Sequence, residues 1–141
     1  DLAKQLVEDM GDSGSIITWN MRFEKSVNEE LGRMYPEYVE QITAINERVV
    51  DLMIPFKAKW YDDLRCEGSA SIKKVLPVVC PELSYKDLGI QDGNSAQRLW
   101  MEAVLDETRA DQKEKILADL TEYCKMDTWA MVRIWQELLK I

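Results

Sequence analysis

Two acidic sites in this sequence have residue types and spacing that suit chemistry. In YCKMD, Tyr123 and Asp127 stand four residues apart, a spacing that projects both from one face of a helix. The apolar stripe of that helix reads Leu120, Cys124, Met131, Ile134 and Leu138, and Asp127 fills the position between Cys124 and Met131. An ionised carboxylate on a buried face is costly unless it is hydrogen-bonded, paired or bound to metal. Lys125 and Arg133 lie on poorly matched faces, which leaves a distant cation, a helix N-terminus or a divalent metal as its partner. A structural salt bridge or cap weighs as much as the metal. The second site is NMRFE, where Asn20 closes a strand and Glu24 lies in the first turn of the next helix. An acid there also suits the helix dipole, so a purely structural role competes with a chemical one.

What the chain lacks narrows the chemistry. It has no histidine, so His triads, His metal ligands and His general bases are excluded from within these residues. Catalysis by this chain would rest on carboxylates, Tyr, Lys or Ser. Cys66, Cys80 and Cys124 show no CxxC spacing, which suggests neither a zinc knuckle nor a disulfide framework. A net charge of −8 disfavours sequence-independent nucleic-acid binding, although metal-dependent nucleases gather acids at their sites and the cations invert the local charge. No apolar run is long enough to span a bilayer, and DLAKQLVEDM is amphipathic rather than signal-like, so a cytoplasmic protein with no membrane partner is expected.

The elements that must position these acids follow from pattern. With 46% hydrophobic residues over 141 positions, the chain suits a single domain, 1–141. LAKQLVEDM has helical spacing and runs into the turn GDSG. SIITW reads as a buried strand ending at Asn20, and Phe23, Val27 and Leu31 then mark a helix that Pro36 interrupts before EYVEQITAINERVV resumes it. VVDLMIPF reads as either a short strand or an apolar loop, and KAKWYDDLRCEG as irregular. Ser69 or Ser71 can cap a short helix in GSASIKKVLPVV, limited by Pro77 and Pro81. Asn94 or Ser95 starts AQRLWMEAVLD, and a last helix covers about 109–139. The expected class is a helix-rich α/β fold. A lone buried strand needs ladder partners, so SIITW is expected to join strands outside this chain.

These residues carry a resemblance. A strand ending in N-x-x-F-acid, followed about a hundred residues later by Y-x-x-x-D on a terminal helix, resembles the second and third motifs of the DEDD superfamily of 3′-to-5′ exonucleases, in its DEDDy branch. IITWNMRFEK, RVVDLMIPF, GSASIKKVLP and LSYKDLGIQDGNSA also look like a bacterial family of uncharacterised domains in that superfamily, over nearly the whole chain. The resemblance implies an RNase H-like fold and a nucleic acid, DNA or RNA, as substrate. It implies two Mg²⁺ or Mn²⁺ ions held by four carboxylates. Glu24 and Asp127 would be metal-binding catalytic acids, Tyr123 would orient or help deprotonate the attacking water, and Asn20 and Phe23 would bind substrate. Glu24 stands where the usual residue is Asp. The first motif, D-x-E, has no counterpart before SIITW, so the chain is expected to be the C-terminal part of an incomplete fold and inactive alone.

A competing expectation is a noncatalytic helical interaction module on a degenerate nuclease fold, with a homodimer formed through surface left by missing strands. Asp51 reads mainly as structural, with a supporting role beside the metals as the alternative. Ser69, Ser71, Lys73 and Lys74 offer a phosphate site but more simply a cap and a solvated lysine pair. Trp129 and Trp135 at helical spacing read as core rather than base-stacking residues, and KDLGIQDGNSA as a connection.

Overall fold

The computed structural model describes residues 2–106 and 108–141, which form a helix-rich α/β arrangement with one small sheet. They pack as two compact units, residues 2–62 with Gly68–Ala70, and Asp63–Glu67 with Ser71–Ile141.

The first unit contains α1 (Leu2–Met10), β1 (Ile16–Thr18), α2 (Met21–Met34), a 3-10 turn at Pro36–Tyr38, α3 (Val39–Glu47), β2 (Val49–Asp51) and the single turn α4 (Ile54–Lys57). β1 and β2 pair in parallel with Ile16 opposite Val49, Ile17 opposite Val50 and Thr18 opposite Asp51. Parallel pairing needs a crossover, which α2 and α3 supply. SIITW therefore finds a partner strand inside the chain, in the VVDLMIPF run that pattern left open between strand and loop. β1 is also less covered than its composition suggested, since all three residues are half-buried. The core of this unit gathers Ala3, Ile42, Ile45, Val49, Leu52 and Phe56. α2 and α3 approach closely at Gly32, where an added Cβ would stand 3.5 Å from Val39 Cγ2.

Arg48 ties the GDSG turn to this unit. Its guanidinium donates to the carbonyls of Ser13 (2.7 Å), Gly14 (3.0 Å), Met10 (3.2 Å) and Gly11 (2.6 Å). A planar fork of donors satisfies carbonyls that the end of α1 leaves open.

The second unit begins with a 3-10 turn at Leu64–Cys66, capped by the Asp63 carboxylate on the Arg65 N–H at 2.9 Å. It continues with α5 (Ile72–Val79), α6 (Gly93–Trp100), a π-helical turn at Met101–Leu105, a 3-10 turn at Ala110–Gln112, and α7 (Lys113–Leu138). α5 and α6 pack against α7 around Val75, Leu76, Cys80, Tyr85, Ile90, Ala103, Ile116, Ala130 and Ile134. Ser71 takes the N-cap position of α5. Pro77 falls inside that helix rather than limiting it, and Pro81 lies just past its end.

Three sequence expectations change here. α6 starts at Gly93 with Asp92 as its cap, not at Asn94 or Ser95, because the Asp92 carboxylate accepts the Ser95 N–H at 2.9 Å and the Ser95 hydroxyl at 2.7 Å. Cys124 is exposed, and Tyr123 takes its expected place on the inward face of α7. Trp129 and Trp135 are 47% and 45% exposed rather than core, because the neighbouring Ala130 and Ile134 fill the inward positions. Among the described residues no helix is long and apolar enough to cross a membrane.

Candidate functional site

Asp127 sits half-buried on the face of α7 that packs inward, four residues after Tyr123 and three before Ala130. Its partner is neither a cation nor a helix end. The buried Tyr85 donates its hydroxyl to Asp127 Oδ1 at 2.7 Å. Asp127 joins no ion pair among the described residues. A carboxylate satisfied by a neutral donor keeps its whole charge, whereas a salt bridge would have cancelled it.

Tyr123 borders the same carboxylate. The Tyr85 and Tyr123 rings lie 6.2 Å apart between centroids, tilted by 55°. Burial pushes the Tyr123 phenol up to about 12, reinforced by the charge of Asp127 and by a hydrogen bond to it. Burial and then the hydrogen bond to Asp127 hold Tyr85 well above the usual phenol range. Both phenols are therefore proton donors at neutral pH, which suits Tyr123 to orienting a water rather than abstracting its proton. The Lys73 ammonium lies 5.8 Å from the Tyr85 ring centroid and 5.7 Å from that of Tyr123. The Asp92 carboxyl is held below its usual range by the Ser95 backbone and hydroxyl, and further by the charge of Lys73.

In the other unit, Asn20 adopts the left-handed region (φ 71°, ψ 66°), which asparagine tolerates better than most residues. That turn lets β1 pass directly into α2. Asp51 holds it there, accepting the Asn20 N–H (3.0 Å) and Met53 N–H (3.0 Å) on Oδ1 and the Met21 N–H (3.1 Å) on Oδ2. Asp51 is thus a structural acid at the strand end, as its position suggested. Glu24 is half-buried on the first turn of α2, while the Phe23 side chain is 60% exposed beside it. The structure thus brings Tyr123 and Asp127 together in one unit and Asn20, Phe23 and Glu24 together in the other.

The comparisons with known proteins bear on this second group first. Residues 1–71 match the family model described as a domain of unknown function, DUF2779. The chain belongs to the DUF2779 family. That match takes in β1, α2 and β2, hence Asn20, Phe23, Glu24 and Asp51. Beyond it, the chain is similar to the uncharacterized protein MG366 homolog of Mycoplasma pneumoniae, at 30% identity over 92% of this chain and 21% of the relative. It is also similar to the uncharacterized protein MG366 of Mycoplasma genitalium, at 27% identity over 89% of this chain and 21% of that relative. This DUF2779 segment spans about a fifth of the length of the curated relatives it matches. No solved structure matches it.

The acids of the DUF2779 segment suit hard cations in kind. Asp127 and Glu24 offer carboxylate oxygens, the donors that Mg²⁺ and Mn²⁺ prefer, and no imidazole competes. In number they are too few to close a site. Among the described residues no three Cys, Asp or Glu side chains come together to hold a metal ion. Sequence reasoning missed Tyr85, which lies in an irregular stretch without periodicity and 42 residues from its partner. The only signal for it was the unpaired acid itself, which demanded a donor.

Proposed function

We propose that this DUF2779 segment is the C-terminal part of an RNase H-like, DEDDy-type nuclease domain that hydrolyses nucleic-acid phosphodiesters from a 3′ end. The observation that carries this reading is the charge left on Asp127, an inward acid held by the Tyr85 phenol without any cationic partner among the described residues. Asp127 and Glu24 are the carboxylates this chain would offer to Mg²⁺ or Mn²⁺, and the cations would supply water activation and stabilisation of the leaving oxygen. Tyr85 fixes the Asp127 carboxylate, and Tyr123, its hydroxyl proton turned to the same carboxylate, orients water by accepting a hydrogen bond from it. Phe23, exposed beside the Asn20 turn, offers a ring face to a terminal base. No D-x-E motif precedes β1 within the 141 residues, so the segment by itself is expected to be inactive.

Metal titration tests the reading without requiring turnover. Millimolar Mg²⁺ or Mn²⁺ should raise the melting temperature of the wild type but not of Glu24→Gln or Asp127→Asn. An equal rise in all three proteins would remove the metal role of both acids.

One observation favours a second reading, a noncatalytic interaction module. The outer side of α7 exposes Trp129, Val132 and Trp135, with Leu139 exposed just past its end, and a groove of about 560 Å³ runs between Leu88, Met126, Trp129 and Val132. Self-association through such a face would appear as a concentration-dependent mass in light scattering.

A further inference from the structure

Two residues after the cap of α5 stand two adjacent lysines in contrasting surroundings. Lys74 is exposed and paired with Glu67 Oε2 at 2.5 Å. Lys73 is half-buried, with its ammonium over the Tyr85 and Tyr123 rings, and makes no ion pair among the described residues. Ring faces attract a cation but leave its charge in place. An ammonium held over two rings and outside any ion pair, with the Asp92 carboxylate acting on it only through space, marks a position where an anion would be stabilised.

Lys73 opens onto a small concavity of about 190 Å³ that Ser84, Tyr85, Lys86 and Gln91 also line. Lys86 is exposed and likewise outside any ion pair among the described residues. The loop that presents it is already ordered. Gln91 Nε2 donates to the Lys86 carbonyl at 2.7 Å and to the Leu88 carbonyl at 3.2 Å, and Ser84 Oγ accepts the Lys86 N–H at 3.1 Å. Ser84 thereby keeps its hydroxyl proton for another acceptor. The carboxylate near Lys73, Asp92, is already committed to Ser95. In a chain of net charge −8, two unpaired lysines and a free hydroxyl donor meet at one concavity.

We infer that this concavity is a phosphate subsite that holds one backbone phosphodiester of a single-stranded nucleic acid, with Lys73 and Lys86 as its cationic walls. The inference rests on the nuclease reading, because Tyr85 belongs to both places: its ring lines the concavity and its hydroxyl holds Asp127. A strand anchored there is registered against the candidate acid by one rigid side chain.

The test is binding of a fluorescent oligothymidylate to the 141-residue protein in EDTA at low salt, with inorganic phosphate as a second probe. Lys73→Met and Lys86→Met should each weaken oligonucleotide binding by roughly tenfold, as expected for loss of a hydrogen bond to a charged group. Each should also flatten the slope of log K against log salt by about 0.7, the value for one phosphate contact on a single strand. Lys74→Met should match the wild type, and Lys73→Arg should restore most of the affinity. Lys86 is exposed, so its variant answers the question even where Lys73→Met disturbs folding. Affinity that ignores both lysines overturns the subsite, as does binding of inorganic phosphate with none of the oligonucleotide. The binding assay is metal-free and does not read the acids, so full-length nuclease activity lost in Asp127→Asn but unchanged by both lysine variants would sink the subsite alone.

Discussion

A phenol, not a cation, satisfies Asp127. Tyr85→Phe removes that donor from a half-buried carboxylate and should cost about 1–3 kcal/mol of stability in urea unfolding. Asp127→Asn leaves an acceptor for the Tyr85 hydroxyl and should cost less, so the order of the two variants checks the assigned hydrogen bond. Tyr123 gives a pH signature in metal-free protein. Its phenol is raised from 10.0 to about 12, so above pH 10 the unfolded chain gives up that proton first. The contribution is therefore full below about pH 10 and is lost as pH climbs toward 12. Tyr123→Phe should flatten that alkaline fall in stability, measured by denaturation across the range. The inward position of Asp127 was legible from the apolar stripe alone. Its partner was not, because a contact between a helix and an irregular loop leaves no periodic trace.

In the first unit the junction of β1 with α2 depends on one acid, and the turn from α1 into β1 on one arginine. Asp51→Ala removes three backbone acceptances at Asn20, Met21 and Met53, and should destabilise that unit by about 1–2 kcal/mol, the range for losing a helix cap. Asp51→Asn should retain part of that. Arg48→Ala frees four carbonyls around GDSG and should make this turn the first site of limited proteolysis, while Arg48→Lys, lacking the fork, should protect it only partly. α2 and α7 were readable because their apolar periods run over many turns. β2 was ambiguous because three residues are too few to show alternation, and only its pairing with β1 identifies it. The start of α6 was misplaced by two polar candidates, Asn94 and Ser95, that themselves follow the true cap. Trp129 and Trp135 misled because each flanks an inward residue, Ala130 or Ile134, instead of occupying the seam.

In the whole molecule, the two groups of candidate residues belong to different compact units, and the segment is a fifth of the length of its curated relatives. Among the described residues the sheet is two-stranded, and β1 is half-buried throughout. The alternation of strand and helix patterns along the sequence made a helix-rich α/β class legible. The most direct measurement is metal-dependent nuclease activity of the full-length protein on a 3′-labelled single strand, wild type against Asp127→Asn. Outer-shell changes around metal ligands cost about 10- to 100-fold, so loss of a ligand should exceed that, with Tyr85→Phe falling inside it. Equal activity in the wild type and Asp127→Asn would contradict the account.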